Sequence, residues 1–71
     1  MKFIESTVAG RVVGVHVAPG QTISEGDEVV KIESMKMELP VDAEFGGTVV
    51  EVLVAEGDEV EEGQNLVSLK D

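Results

Sequence analysis

The sequence predicts an all-β fold, a closed sandwich or barrel with internal pseudo-twofold symmetry. Three observations carry that prediction. The aliphatic residues are mostly β-branched, 14 Val and 3 Ile against 4 Leu, and Phe3 and Phe45 are the only aromatic side chains. Eight glycines punctuate the chain, which suits short strands joined by tight turns. The chain also repeats itself. A shift of 37 overlays residues 7–34 on residues 44–71 with ten identities: Gly10/Gly47, Val12/Val49, Val13/Val50, Val15/Val52, Val17/Val54, Ala18/Ala55, Gly20/Gly57, Glu25/Glu62, Gly26/Gly63 and Val30/Val67. These positions are mostly aliphatic or Gly, the residues that set packing and backbone shape. Two copies are too few for a solenoid, so the two units are expected to close on each other.

Each unit reads as strand, turns, strand. The first strand is Gly10–Val17, copied as Gly47–Val54, and Val13, Val15 and Val17 alternate as in a half-buried strand. A turn-rich segment follows, Pro19–Asp27, copied as Glu56–Gln64. Its glycines, Gly20, Gly26, Gly57 and Gly63, suit positions with positive φ. The single apolar residue between them, Ile23 or Val60, is expected to plug the core beneath the turn. The second strand is Glu28–Ser34, copied as Asn65–Lys70.

A hairpin over residues 30–41 joins the units, and its register follows from alternation. If Met35 and Lys36 form a two-residue turn, opposing residue numbers sum to 71. Ile32 then faces Leu39 and Val30 faces Val41, all on one face. A one-residue slip would turn that apolar set to water. Lys36 therefore projects from a hairpin tip. The turn lacks the usual Asn-Gly, and a non-Gly residue with positive φ costs about 1–2 kcal/mol. Pro40, opposite Lys31, has no N–H to donate, so its strand belongs at an edge. Shifting one partner by +37 and the other by −37 preserves the sum, so Ile4 should face Val67 at the end remote from Lys36.

Seventy-one residues make one domain, 1–71, whose folding buries only about 60% of the unfolded surface. With no Cys, no disulfide or thiolate metal site staples it. The formal net charge of −10 repels phosphate backbones and argues against nucleic acid as a partner. No apolar run approaches the roughly 18 residues of a membrane helix, and the N-terminus has no signal-like apolar segment. A soluble, cytoplasmic protein without a membrane partner is expected.

The residues around Lys36 are unusual for a turn. Met37 shares a face with Leu39 and could fill a core gap, whereas Met35, in the turn itself, cannot easily do so. An exposed apolar tip suggests a surface read by another protein. Glu33 and Glu38 oppose each other across the hairpin, which is unfavourable by roughly 0.2–1 kcal/mol. His16 is the only histidine and is expected on the outer surface. No second His or Cys completes a metal or catalytic pair. Glu56, Asp58, Glu59, Glu61 and Glu62 read as a solvated acidic turn without an EF-hand pattern. No catalytic constellation is present, and no enzyme is expected.

The run Glu33-Ser34-Met35-Lys36-Met37, set between two such repeats, resembles the biotinyl (biotin/lipoyl attachment) domain family over nearly the whole chain. The resemblance implies a flattened β-barrel of two four-stranded antiparallel sheets, a barrel-sandwich hybrid. It implies covalent biotin on Lys36, attached by a biotin protein ligase, with Glu33, Ser34, Met35, Met37 and Glu38 as flanking recognition residues. It further implies a biotin carboxyl carrier that moves a carboxyl group from a biotin carboxylase to a carboxyltransferase. Such a carrier serves a biotin-dependent carboxylase, decarboxylase or transcarboxylase system. Some members insert a protruding thumb before the segment matching Gly20–Gly26. Here Val17-Ala18-Pro19-Gly20-Gln21 is as short as Val54-Ala55-Glu56-Gly57-Asp58, so a thumbless member is expected. Lipoyl domains share the family fold but usually flank their lysine with Asp and Ala. A lipoyl carrier, a dual biotin/lipoyl attachment protein and an unmodified interaction module are the alternative readings.

Overall fold

A computed structural model describes residues 1–70. Eight strands follow in order: β1 (Lys2–Glu5), β2 (Gly10–Val15), β3 (Thr22–Ile23), β4 (Glu28–Ser34), β5 (Met37–Asp42), β6 (Gly47–Val52), β7 (Glu59–Val60) and β8 (Asn65–Lys70). They form two four-stranded antiparallel sheets with orders β1-β8-β6-β3 and β5-β4-β2-β7. The 37-residue shift carries β1 onto β5, β8 onto β4 and β6 onto β2, with β3 falling on β7. One sheet order thus becomes the other, and the expected pseudo-twofold is built into the pairing. The last residue of the second repeat unit, Asp71, lies outside the described residues.

The core obeys the same symmetry. Buried Ile4, Val12, Val17, Ile23, Val29, Val30 and Ile32 have buried counterparts in Val41, Val49, Val54, Val60, Leu66, Val67 and Leu69. Ala43 is matched by Ser6, also buried, whose hydroxyl donates to the Val8 carbonyl at 2.5 Å. Ile23 and Val60 plug the core as expected, at 2% and 3% exposure.

The first strands need a correction. The ladders end at Val15 and Val52, not Val17 and Val54, and the even run Val13, Val15, Val17 is interrupted. A bulge between Val12 and Gly14, repeated between Val49 and Glu51, adds one residue and switches the inward parity. Val12 and Val17 are therefore the buried residues, while Val13 and Val15 are half-buried.

Four turns close the strands, built to one pattern. Gly20, Gly26, Gly57 and Gly63 occupy the third turn position with φ between 85° and 97°. In each, the fourth residue donates its N–H to the carbonyl of the first, as Asp58 does to Ala55 at 3.0 Å. Its side chain returns to the N–H of the first: Gln21 to Ala18, Asp27 to Ser24, Asp58 to Ala55 and Gln64 to Glu61, at 2.8–3.2 Å. Segment 18–21 is as tight as 55–58, so no thumb protrudes there. The turns also dock across the repeat. Gly20 N donates to Val49 O and Gly57 N to Val12 O, at 2.8 and 2.7 Å. Because β3 pairs β6 and β7 pairs β2, each unit completes the sheet of the other. Among the described residues no helix is long and apolar enough to cross a membrane.

Candidate functional site

The β4–β5 hairpin has the register read from alternation. Val30 pairs Val41, Lys31 pairs Pro40, Ile32 pairs Leu39, Glu33 pairs Glu38 and Ser34 pairs Met37. Ile32 and Val41 are buried and hold the hairpin to the core. Pro40 lies on β5, an edge strand. Ile4 pairs Val67, as the repeat requires. A shift from Glu28/Asp42 to Val30/Val41 also has its counterpart at Glu5/Asn65 and Ile4/Val67.

Met35 and Lys36 form the turn with φ of 54° and 65°. Positive φ at both central residues matches the twist of the strands they join. Two side-chain-bearing residues hold a conformation normally left to Asn and Gly, and observed strain of this kind marks sites under functional constraint. The paired strands beneath over-determine it.

Lys36 is exposed, and among the described residues no hydrogen bond or ion pair engages its side chain. Met35 is 92% exposed and Met37 61%, so neither fills the core. Ser34 is half-buried and Glu38 exposed. All six residues singled out from the sequence therefore converge on one hairpin end. The outer ends of β1 and β8, Lys2 and Lys70, lie away from it. β7 runs toward the tip, from Glu59, level with Arg11 and Glu33, to Val60, level with Gly10; the 61–64 turn reverses the chain, and β8 runs away. The molecule is elongated, 33 × 19 × 18 Å. A primary amine so placed is open to acylation, and among the described residues no ion pair engages it.

Sequence reasoning missed Arg11. It pairs with Glu33 across β2 and β4, and its Nη2 lies 3.5 Å from Glu33 Oε1. The like-charge pair Glu33/Glu38 therefore has a cation beside it. The available signal was a lone basic residue following Gly10, at a position where the repeat carries Thr48. His16 lies on the surface with Nε2 2.6 Å from Glu28 Oε2. Among the described residues no three His, Cys, Asp or Glu side chains converge on a metal-sized space. In the acidic segment 56–62, Asp58 is already committed to capping Ala55.

The family described as biotin-requiring enzyme matches residues 2–69. The chain belongs to the biotin/lipoyl attachment domain family. It is 50% identical over 44 residues to the biotin-dependent acyl-coenzyme A carboxylase alpha3 subunit of Mycobacterium leprae, covering 62% of this chain and 7% of that one. It is 48% identical over 40 residues to the biotin/lipoyl attachment protein of Bacillus subtilis, covering 56% of this chain and 55% of that one. It therefore spans a small fraction of the first relative's length and about half of the second's. Among solved structures, the Kluyveromyces lactis urea carboxylase superposes with a TM-score of 0.88 at 33% identity, over 97% of this chain and 6% of that one. The lipoyl domain of the Azotobacter vinelandii 2-oxoglutarate dehydrogenase complex superposes with a TM-score of 0.73 at 35% identity, over 97% and 87%. The attachment-domain fold of two four-stranded sheets is thus shared with carboxylase and lipoyl relatives alike.

Proposed function

We propose that Lys36 is the attachment residue, that it carries biotin through an amide, and that the chain acts as a biotin carboxyl carrier. The observation that carries this reading is the exposed Lys36 amine at the tip of a strained turn, flanked by two exposed methionines. A biotin protein ligase would acylate Nζ. Attached biotin supplies the ureido nitrogen that accepts and releases a carboxyl group. The chain's own part is presentation. The rigid hairpin fixes the base of the lysine stem, and the long flexible stem lets the tip visit two partners at high effective concentration. Those partners would be a biotin carboxylase and a carboxyltransferase. The carboxylase relatives support that assignment, and the chain itself contributes no catalytic group.

The lipoyl relative keeps a second reading in view, because it shares the fold. Met35 and Met37 favour biotin. Intact mass measured after co-expression with a biotin ligase, alongside an avidin blot, separates the readings. Wild type should gain one biotinyl group and bind avidin, and Lys36→Ala should do neither. A lipoyl mass would select the second reading. An unmodified wild type, or avidin binding by Lys36→Ala, would sink the first.

A further inference from the structure

A row of four charged residues crosses the sheet that carries the tip. Register aligns Glu38 of β5, Glu33 of β4, Arg11 of β2 and Glu59 of β7. Directly opposed residues project from the same face, close enough to interact. Arg11 is the only cation in the row, and its guanidinium lies 3.5 Å from Glu33. Glu33 therefore stands between one attractive neighbour and one repulsive one. Without Arg11, three carboxylates would line the base of the hairpin with nothing to order them.

The fold does not require this arginine. The repeat counterparts of Arg11 and Glu33 are Thr48 and Lys70, which oppose each other in the second sheet without an acid–base pair. Arg11 also contributes little packing, since its side chain is 58% exposed. Its place beside Glu33 is enforced by its neighbour. A Cβ on Gly10 would strike the Glu33 carbonyl oxygen and lie 2.8 Å from Ile32 Cγ2. Glycine at this position lets β2 close tightly on β4 next to the tip.

We infer that Arg11 is a positioning residue for modification of Lys36. It holds the Glu33 carboxylate on the β2 side of the hairpin, apart from Glu38, so that a modifying ligase meets two acids in a fixed arrangement below the tip. This rests on the carrier reading given above. The guanidinium touches neither Lys36 nor the reacting atoms; it acts through Glu33. Loss of the ordered pair is a cost to docking, so it should appear in KM rather than kcat.

The test is steady-state kinetics of a biotin ligase on the purified, unbiotinylated protein. Arg11→Gln should raise KM about two- to five-fold with kcat unchanged, the range expected of one exposed ion pair. Arg11→Lys should recover part of the loss. In a Glu33→Gln background, Arg11→Gln should raise KM no further, because its partner is gone. Lys70→Gln, with the same charge change at the remote end, should leave KM at the wild-type value. An unchanged or lower KM for Arg11→Gln would overturn the inference. So would a full KM effect in the Glu33→Gln background, or an equal effect from Lys70→Gln. A thermal melt of each variant identifies a purely structural role, in which Tm falls while KM stays. If wild type itself accepts no biotin, the carrier reading fails; if wild type is modified and KM is insensitive to Arg11, only the positioning role fails.

Discussion

Gly10 and Gly47 occupy equivalent places in the two repeats, yet they should respond oppositely to the same substitution. At Gly10 an alanine methyl would collide with the Glu33 carbonyl oxygen and lie 2.8 Å from Cγ2 of Ile32, a residue with no exposed surface. Neither the backbone of β4 nor a fully packed side chain gives way cheaply. At Gly47 the nearest atoms are Leu69 Cβ and Cδ1 at 3.5 Å, an ordinary contact. Neither glycine has the positive φ that would strain alanine by itself. Overpacking costs about 1–3 kcal/mol, and stiffening the unfolded chain returns about 0.4–1 kcal/mol. Gly10→Ala should therefore lose about 1–2 kcal/mol net, or about 5–15 °C in Tm at about 4–8 °C per kcal/mol for a small domain. Gly47→Ala should stay within about 0.5 kcal/mol of wild type or gain slightly. Thermal melts followed by far-ultraviolet circular dichroism measure both. Equal Tm shifts for the two variants would refute the claim that β2 and β4 approach more closely beside the tip than their repeat counterparts do. Gly10→Ala should also slow biotinylation, because the displaced atom belongs to Glu33, while Gly47→Ala should not.

Other perturbations separate stability from recognition. Met35→Asn relieves left-handed strain at the turn, so it should raise stability by up to about 1 kcal/mol in a denaturant titration. The same change removes an exposed thioether and should lower the ligase kcat/KM; unchanged modification would remove Met35 from the recognition surface. Gly57→Ala places a methyl in open space but forces alanine to φ 97°, so it should cost about 1–2 kcal/mol through backbone conformation alone. A neutral result would mean that the turn relaxes. Asp58→Ala deletes the 2.8 Å bond to Ala55 N, and a loss of about 0.5–1.5 kcal/mol is expected from chemical denaturation. Repeating the melt with the counterpart Gln21→Ala, and with Asp27→Ala and Gln64→Ala, asks whether all four side-chain caps contribute alike.

The hairpin around Lys36 was legible because its information is local. Alternation of period two leaves one register that turns Val30, Ile32, Leu39 and Val41 to one face, three of them fully buried and Leu39 half-buried, and that register alone places Met35 and Lys36 in the turn. The repeat extended the same reasoning to Ile4 and Val67, far apart in sequence, since a symmetry operation needs no knowledge of the intervening chain. Side-chain periodicity was less informative where a bulge intervened. Val12 and Val17 lie an odd number of residues apart yet both point inward, because one extra residue in β2 resets the alternation. The exchange of short strands between repeats, β3 onto β6 and β7 onto β2, is written in no local pattern; two-residue strands carry too little periodicity to choose a partner, and only closure of both sheets around one core selects it. Arg11 belongs to the same class. In the sequence it is a solitary charge 22 positions from Glu33. The close approach of β2 to β4, which glycine at position 10 permits, places it against that carboxylate. The chain alone thus determined where Lys36 stands and which way it points; the tertiary structure decided which charges surround its base, because charge pairing across strands depends on neighbours that only the assembled sheet supplies.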